Sequence, residues 1–117
     1  MHEFSTACLL VESVLEKVKE EGATSVLSIE LVVGKLTLLS PEQLIFCFET
    51  ITEGTMLEGA ELKIEETPPT YFCSICGSKG DVRFIDGIPF MRCPDCNSPV
   101  DIQGGRECVI RRIKAIS

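Results

Sequence analysis

Apolar residues recur three and four apart from Phe4 to Val18, at Phe4, Ala7, Cys8, Val11, Val14, Leu15 and Val18, while Glu12, Glu16, Lys17, Lys19 and Glu20 fill the opposite face. That is the period of an amphipathic helix. Gly22 stands where a left-handed residue would end it. From Val26 to Val33 the period changes to two, with Ile29, Leu31 and Val33 alternating against Ser28, Glu30 and Val32, which predicts a strand. Ser40-Pro41-Glu42-Gln43 reads as a capping box with proline at the first helical position. A second helix is expected there, with Leu44, Phe48 and Ile51 inside and Gly54 as its stop. Leu57 to Glu66 alternates again, Ala60, Leu62 and Ile64 against Glu61, Lys63 and Glu65, as a strand with one wet face does.

Thr67-Pro68-Pro69-Thr70 then breaks the pattern and reads as an extended linker. Beyond it, Val82 to Ile85 and Ile88 to Met91 flank Asp86-Gly87, a two-residue hairpin signal. Glu107 to Ile116 is rich in Val and Ile and predicts a strand that returns the chain to the first sheet. The expected class is α+β: a three-stranded mixed sheet with two helices, and a small module inserted before the last strand. Residues 1–67 plus 105–117 would form one domain and residues 70–100 the other. No internal repeat is read along the chain.

The inserted module carries the chemistry. Cys73-Ser-Ile-Cys76 and Cys93-Pro-Asp-Cys96 are two C-x-x-C pairs separated by sixteen residues. Each pair can curl into a knuckle that aims two thiolates at one point, and the hairpin between them brings the four sulfurs to one ion. Gly77 and Asn97 follow the pairs, where backbone N–H groups can bond the sulfurs. Some thirty residues cannot stay folded on buried area alone, so a metal has to supply what area cannot. Zinc fits, and with four protein ligands the site would be structural, with no open position to activate water. Iron also accepts four thiolates.

Composition narrows the classes. Seven cysteines could frame disulfides in a secreted chain, but the count is odd and no basic-then-apolar leader is visible, so a reducing cytoplasm is expected. A net charge of −7 repels phosphate backbones and anionic lipid, and no apolar run approaches bilayer length, which argues against nucleic-acid and membrane partners. The basic residues Arg106, Arg111, Arg112 and Lys114 read as a solvated strand face. There is no nucleophile elbow and no phosphate loop, so no enzyme is expected. Cys8 reads as a small core residue.

The chain's one histidine is His2. In Met1-His2-Glu3, an α-amine, the His2 backbone nitrogen and its imidazole Nδ1 can chelate one metal through a five-membered and a six-membered ring. Such tetragonal nitrogen sites suit Ni(II) or Cu(II), with Glu3 or water completing the plane. An exposed histidine with no ligand is the plainer reading of these three residues alone.

The whole pattern changes that balance. Met1-His2-Glu3, Gly34-Lys35-Leu36, Phe46-Cys47-Phe48-Glu49, Gly54-Thr55, Leu57-Glu58-Gly59-Ala60-Glu61-Leu62, both cysteine pairs and Gly105-Arg106-Glu107 resemble the HypA/HybF family of hydrogenase nickel-incorporation proteins along essentially the full chain. The resemblance implies a metallochaperone with Ni(II) at Met1, His2 and Glu3 and structural Zn(II) at Cys73, Cys76, Cys93 and Cys96. It implies delivery to the [NiFe]-hydrogenase large subunit with a HypB-type nickel GTPase, and in some relatives service to urease maturation proteins, from a monomer or homodimer. Some relatives carry histidines beside the zinc cysteines; this chain has none. A zinc-ribbon nucleic-acid module and a rubredoxin-like iron carrier share the cysteine spacing and stand as alternatives.

Overall fold

Ala7, Leu10, Val11, Val14 and Val18 form the buried stripe of helix α1 (His2–Glu20). The three-and-four spacing explains the helix. Phe4, however, is 54% exposed, and Leu10 takes its place in the core. Gly22 adopts φ +72° and ends the helix as expected, with the Ala23 N–H returning to the Val18 carbonyl at 3.0 Å. In this computed structural model, which describes residues 2–117, the chain divides into two compact units. One comprises Met1–Val32, Leu39–Glu65 and Val109–Ser117; the other comprises Val33–Leu38 and Glu66–Cys108.

The first is a helix–sheet unit. Strand β1 (Ser25–Gly34) is central in a mixed three-stranded sheet, ordered β2-β1-β8, with β2 at Glu61–Thr67 and β8 at Cys108–Ile116. β8 runs antiparallel to β1: the Thr24 N–H meets the Ile116 carbonyl at 2.7 Å, and the Gly34 N–H meets that of Glu107 at 2.7 Å. Helix α2 (Pro41–Thr52) begins as the capping signal predicts, with the Ser40 hydroxyl accepting the Gln43 N–H at 3.3 Å. It packs on α1. Leu44, Phe48, Ile29, Leu31, Leu57 and Leu62 are buried with the α1 stripe, and each large side chain contributes roughly 2 kcal/mol by leaving water. Thr52, rather than Ile51, completes the inner face of α2, its hydroxyl satisfied by the Phe48 carbonyl at 2.8 Å.

β2 starts four residues later than the alternation predicts. Thr55 explains the delay: its backbone carbonyl takes the Glu58 N–H and its hydroxyl accepts the Leu57 N–H at 3.1 Å, so the chain is still turning where apolar residues already alternate. On the exposed side of the sheet, Arg111 of β8 pairs with Glu30 of β1 at 3.4 Å and with Glu65 of β2 at 2.6 Å, and Arg112 lies 3.9 Å from Glu30. These arginines are engaged by carboxylates of their own sheet. Among the described residues no helix is long and apolar enough to cross a membrane.

The second unit contains a three-stranded antiparallel sheet that the sequence did not announce, ordered β4-β3-β7, from Lys79–Asp81, Thr70–Phe72 and Asp101–Gln103. The proline segment does not break this sheet. Pro69 is buried and its carbonyl accepts the Val82 N–H at 2.9 Å, and β3 starts one residue later. The hairpin of β5 (Phe84–Ile85) and β6 (Ile88–Pro89) turns at Asp86 and Gly87, both with positive φ as a two-residue primed turn requires.

Gly34 sits so close to the Gly105 carbonyl that no Cβ fits between them, while Gly105, at φ +80°, faces Pro69. The Leu36 N–H donates to the Gly105 carbonyl at 2.7 Å, and the Glu107 carboxylate accepts the Thr67 hydroxyl and the Gly105 N–H, both at 2.8 Å. Gly34-Lys35-Leu36 and Gly105-Arg106-Glu107, far apart in sequence, are thus one packed crossing.

Candidate metal centre

The two knuckles are built alike. In the first, the Cys73 N–H donates to the Ser78 carbonyl and the Gly77 N–H to the Cys73 carbonyl, each at 2.8 Å. In the second, Cys93 pairs with Ser98 and Asn97 with Cys93, again at 2.8 Å. Gly77 and Asn97 take φ +77° and +62°, the left-handed turn that folds each loop back on its first cysteine. Phe72 pairs with Lys79 outside the first knuckle, and Arg92 bridges Pro99 outside the second. A six-residue pattern, C-x-x-C-[G/N]-S, therefore recurs at an offset of twenty residues. In the sequence this repeat, unlike the cysteine pairs, is marked only by Ser78 and Ser98, each two places after its pair.

Together the knuckles bring Cys73, Cys76, Cys93 and Cys96 within 4.8 Å of one another. Cys73 and Cys93 are buried, and Cys76 and Cys96 face solvent. Two sulfur pairs cross between knuckles, Cys73 to Cys96 at 3.6 Å and Cys76 to Cys93 at 3.5 Å. A tetrahedral zinc ion with bonds of about 2.3 Å sets its sulfurs about 3.8 Å apart, so the spacing fits. The backbone supplies donors to the sulfurs, as a thiolate cluster needs, with the Asp95 N–H 3.4 Å from the Cys93 sulfur.

The proton balance points the same way. The Ser98 hydroxyl and N–H pull the Cys96 thiol down to about 6. The Ser78 N–H also acts to lower Cys76, but the Cys93 thiol and burial outweigh it and push Cys76 up to about 12. Four thiolates this close gather like charge in one place. A divalent cation among them is what permits it. Zinc held here would tie the two loops together.

His2 and Glu3 lie in the other unit. His2 is the first residue of α1 and is exposed. The Glu3 carboxylate accepts the N–H of Ser40, the residue that caps α2, at 2.9 Å, and that hydrogen bond, before any other influence, holds its pKa below the usual carboxylate range. Met1 lies outside the described residues. Among the described residues, the four cysteines are the one group of three or more His, Cys, Asp or Glu side chains spaced to hold an ion.

Residues 1–115 match the family model described as hydrogenase/urease nickel incorporation, metallochaperone, hypA. The chain is 37% identical to the hydrogenase maturation factor HypA of Methanosarcina acetivorans, covering 97% of this chain and 95% of that one. It is 41% identical to HypA of Chlorobium limicola over the same shares. The fold also resembles the solution structure of the nickel metallochaperone HypA from Helicobacter pylori, with a TM-score of 0.65, 19% identity and coverage of 98% and 97% of the two chains. The electron-carrier and nucleic-acid readings of the cysteine pairs are set aside by this match. The chain belongs to the HypA family of nickel metallochaperones for hydrogenase maturation.

Proposed function

We propose that this chain binds Ni(II) at Met1, His2 and Glu3 and hands it on for assembly of a [NiFe]-hydrogenase, with zinc at Cys73, Cys76, Cys93 and Cys96 as a structural ion. The observation that carries this reading is the family match over residues 1–115, which takes in both the Met-His-Glu start and the two cysteine pairs. The geometry of α1 supports it. The first N–H groups of a helix have no partner within it, so ligation by the His2 backbone nitrogen costs no helical hydrogen bond. A helix N-terminus also carries partial positive charge, which disfavours a cation there unless a carboxylate offsets it. Glu3 is placed to do so, held at the start of α2 by Ser40. A site balanced in this way can bind its cargo and still release it.

A HypB-type nickel GTPase and the hydrogenase large subunit are the partners this role calls for, in a reducing cytoplasm where free thiols persist. Urease maturation proteins are a second recipient. No bond of a substrate is made or broken, and the chain is a carrier rather than an enzyme.

The test is calorimetric titration of untagged, zinc-loaded protein with Ni(II), compared with His2→Ala. The wild type is expected to bind one equivalent, more weakly as pH falls because nitrogen ligands must shed protons first. The variant should lose that binding while keeping its zinc. Equal nickel affinity in the two proteins would place the nickel site elsewhere.

A further inference from the structure

The two knuckles share one backbone plan and differ in where a single hydroxyl points. Cys76 and Cys96 occupy equivalent positions, both exposed, and each is served by the N–H of the serine two residues on. Ser98 Oγ lies 3.3 Å from the Cys96 sulfur. A metal-bound sulfur has no proton to give, so in the loaded site that hydroxyl is the donor. Ser78 does not do the same for Cys76. Its hydroxyl donates instead to Asp95 Oδ2, in the opposite knuckle, at 2.7 Å, and the Tyr71 hydroxyl lies 3.1 Å from Ser78 Oγ. Cys73 and Cys93, the other two ligands, are buried at 0% and 1% exposure.

We infer that Cys76 is the reactive thiolate of the four-cysteine site, the sulfur at which an electrophile attacks first, and that Asp95 makes it so by drawing the Ser78 hydroxyl away. The reason is electron density. A hydrogen bond to a sulfur withdraws charge from it, and thiolate nucleophilicity falls with that charge. Cys96 carries a hydroxyl donor that Cys76 lacks, and burial protects Cys73 and Cys93. Asp95 and Ser78 are positioning residues in this account. They also tie one knuckle to the other through side chains, so the carboxylate that leaves Cys76 uncovered holds the two loops in register.

The inference rests on the zinc reading, and the experiment separates the two. Full-length, zinc-loaded protein is treated with limiting N-ethylmaleimide, and labelled peptides are mapped by mass spectrometry while zinc is quantified. In the addition, the sulfur pair bonds one alkene carbon and the other carbon takes a proton from water, so nothing leaves. Cys8, Cys47 and Cys108 are read on their own peptides. Among the four ligands, Cys76 is expected to label first, ahead of Cys96 by about tenfold, the weight of one hydrogen bond to a charged group. Ser98→Ala should bring Cys96 up to the rate of Cys76. Asp95→Ala should slow Cys76, because the freed Ser78 proton turns to the sulfur. If zinc is held one to one but Cys96 labels first, or if Ser98→Ala leaves the ratio unchanged, the ordering is wrong and the zinc reading stands. If no zinc is held and the four sulfurs label alike, both fall.

Discussion

The Glu107 carboxylate accepts the Thr67 hydroxyl at 2.8 Å across forty residues of chain. It takes the Gly105 N–H at the same distance. With the Thr67 hydroxyl as the main cause, its pKa lies below the usual value for a glutamate. A carboxyl with a depressed folded-state pKa contributes stability that is present above its unfolded pKa, about 4.3, and is lost as pH falls through the folded value. Glu107→Gln, which keeps the shape without the charge, should therefore unfold at lower denaturant than the wild type at pH 7. The gap should narrow as pH drops below about 4.3 and close once Glu107 is protonated. Urea midpoints for both proteins across that range measure it, and a gap that ignores pH would mean the carboxylate charge is not what holds Thr67.

Gly34 has no room for a methyl group, since its Cβ would meet the Gly105 carbonyl, which is backbone and cannot swing aside. Gly34→Ala should cost about 3 kcal/mol from overpacking. Gly22 makes the control: it has positive φ but nothing within 4 Å, so Gly22→Ala pays only left-handed strain, about 1–2 kcal/mol. Chemical denaturation of the two variants should rank them in that order, and the reverse order would show that the crossing relaxes easily.

Losing one thiolate should cost the zinc unit its fold. Cys93→Ser removes a buried ligand, and in a module held by its ion the coordination free energy is the folding free energy. Metal content should fall and amide signals of residues 70–103 should collapse, while the helical circular dichroism of α1 and α2 persists. Chelation of the wild type should reproduce this. Retained zinc with intact signals would show that three sulfurs suffice.

Arg111 is about half exposed and bridges Glu30 and Glu65 on neighbouring strands. Arg111→Ala removes the cation that the two carboxylates share, leaving Glu30 only Arg112 at 3.9 Å, and should lower the urea midpoint slightly. That penalty should shrink in 1 M salt, where charges more than about 3 Å apart are screened. A penalty that salt does not change would point to lost packing of the arginine stem.

Much of this molecule is written in short-range patterns. α1 and α2 were legible because ten or more residues carry one period and a cap marks an end, β1 because eight residues alternate, and the Asp86-Gly87 turn and the cysteine pairs are local signals. The β4-β3-β7 sheet was not legible. Its strands are three residues long, too short for alternation to show, and Lys79-Gly80-Asp81 has no apolar residue to alternate. Phe4 was misplaced because periodicity assigns a face but not which residues at its end are covered. The Glu107 and Asp95 contacts escaped for a third reason: each joins residues that only the finished fold brings together. The nickel expectation at His2 came from resemblance, since three terminal residues carry no period at all.

Each knuckle closes its backbone bonds within six residues, and the pair is joined by a hairpin, whereas the sheet of the other unit needs β8, which follows the knuckles in sequence. During vectorial synthesis this fixes an order. Local loops and hairpins form in microseconds, and the ribosome adds about 5–20 residues per second, so the cysteines are assembled and able to take their ion while β1 still has an unpaired side. The chain thus carries an open sheet edge until Cys108–Ile116 has left the ribosome and paired. A cell short of zinc would lengthen the hazard, because an unmetallated knuckle pair leaves the chain between β2 and β8 slack, and the last strand must then find its place without a folded neighbour to deliver it.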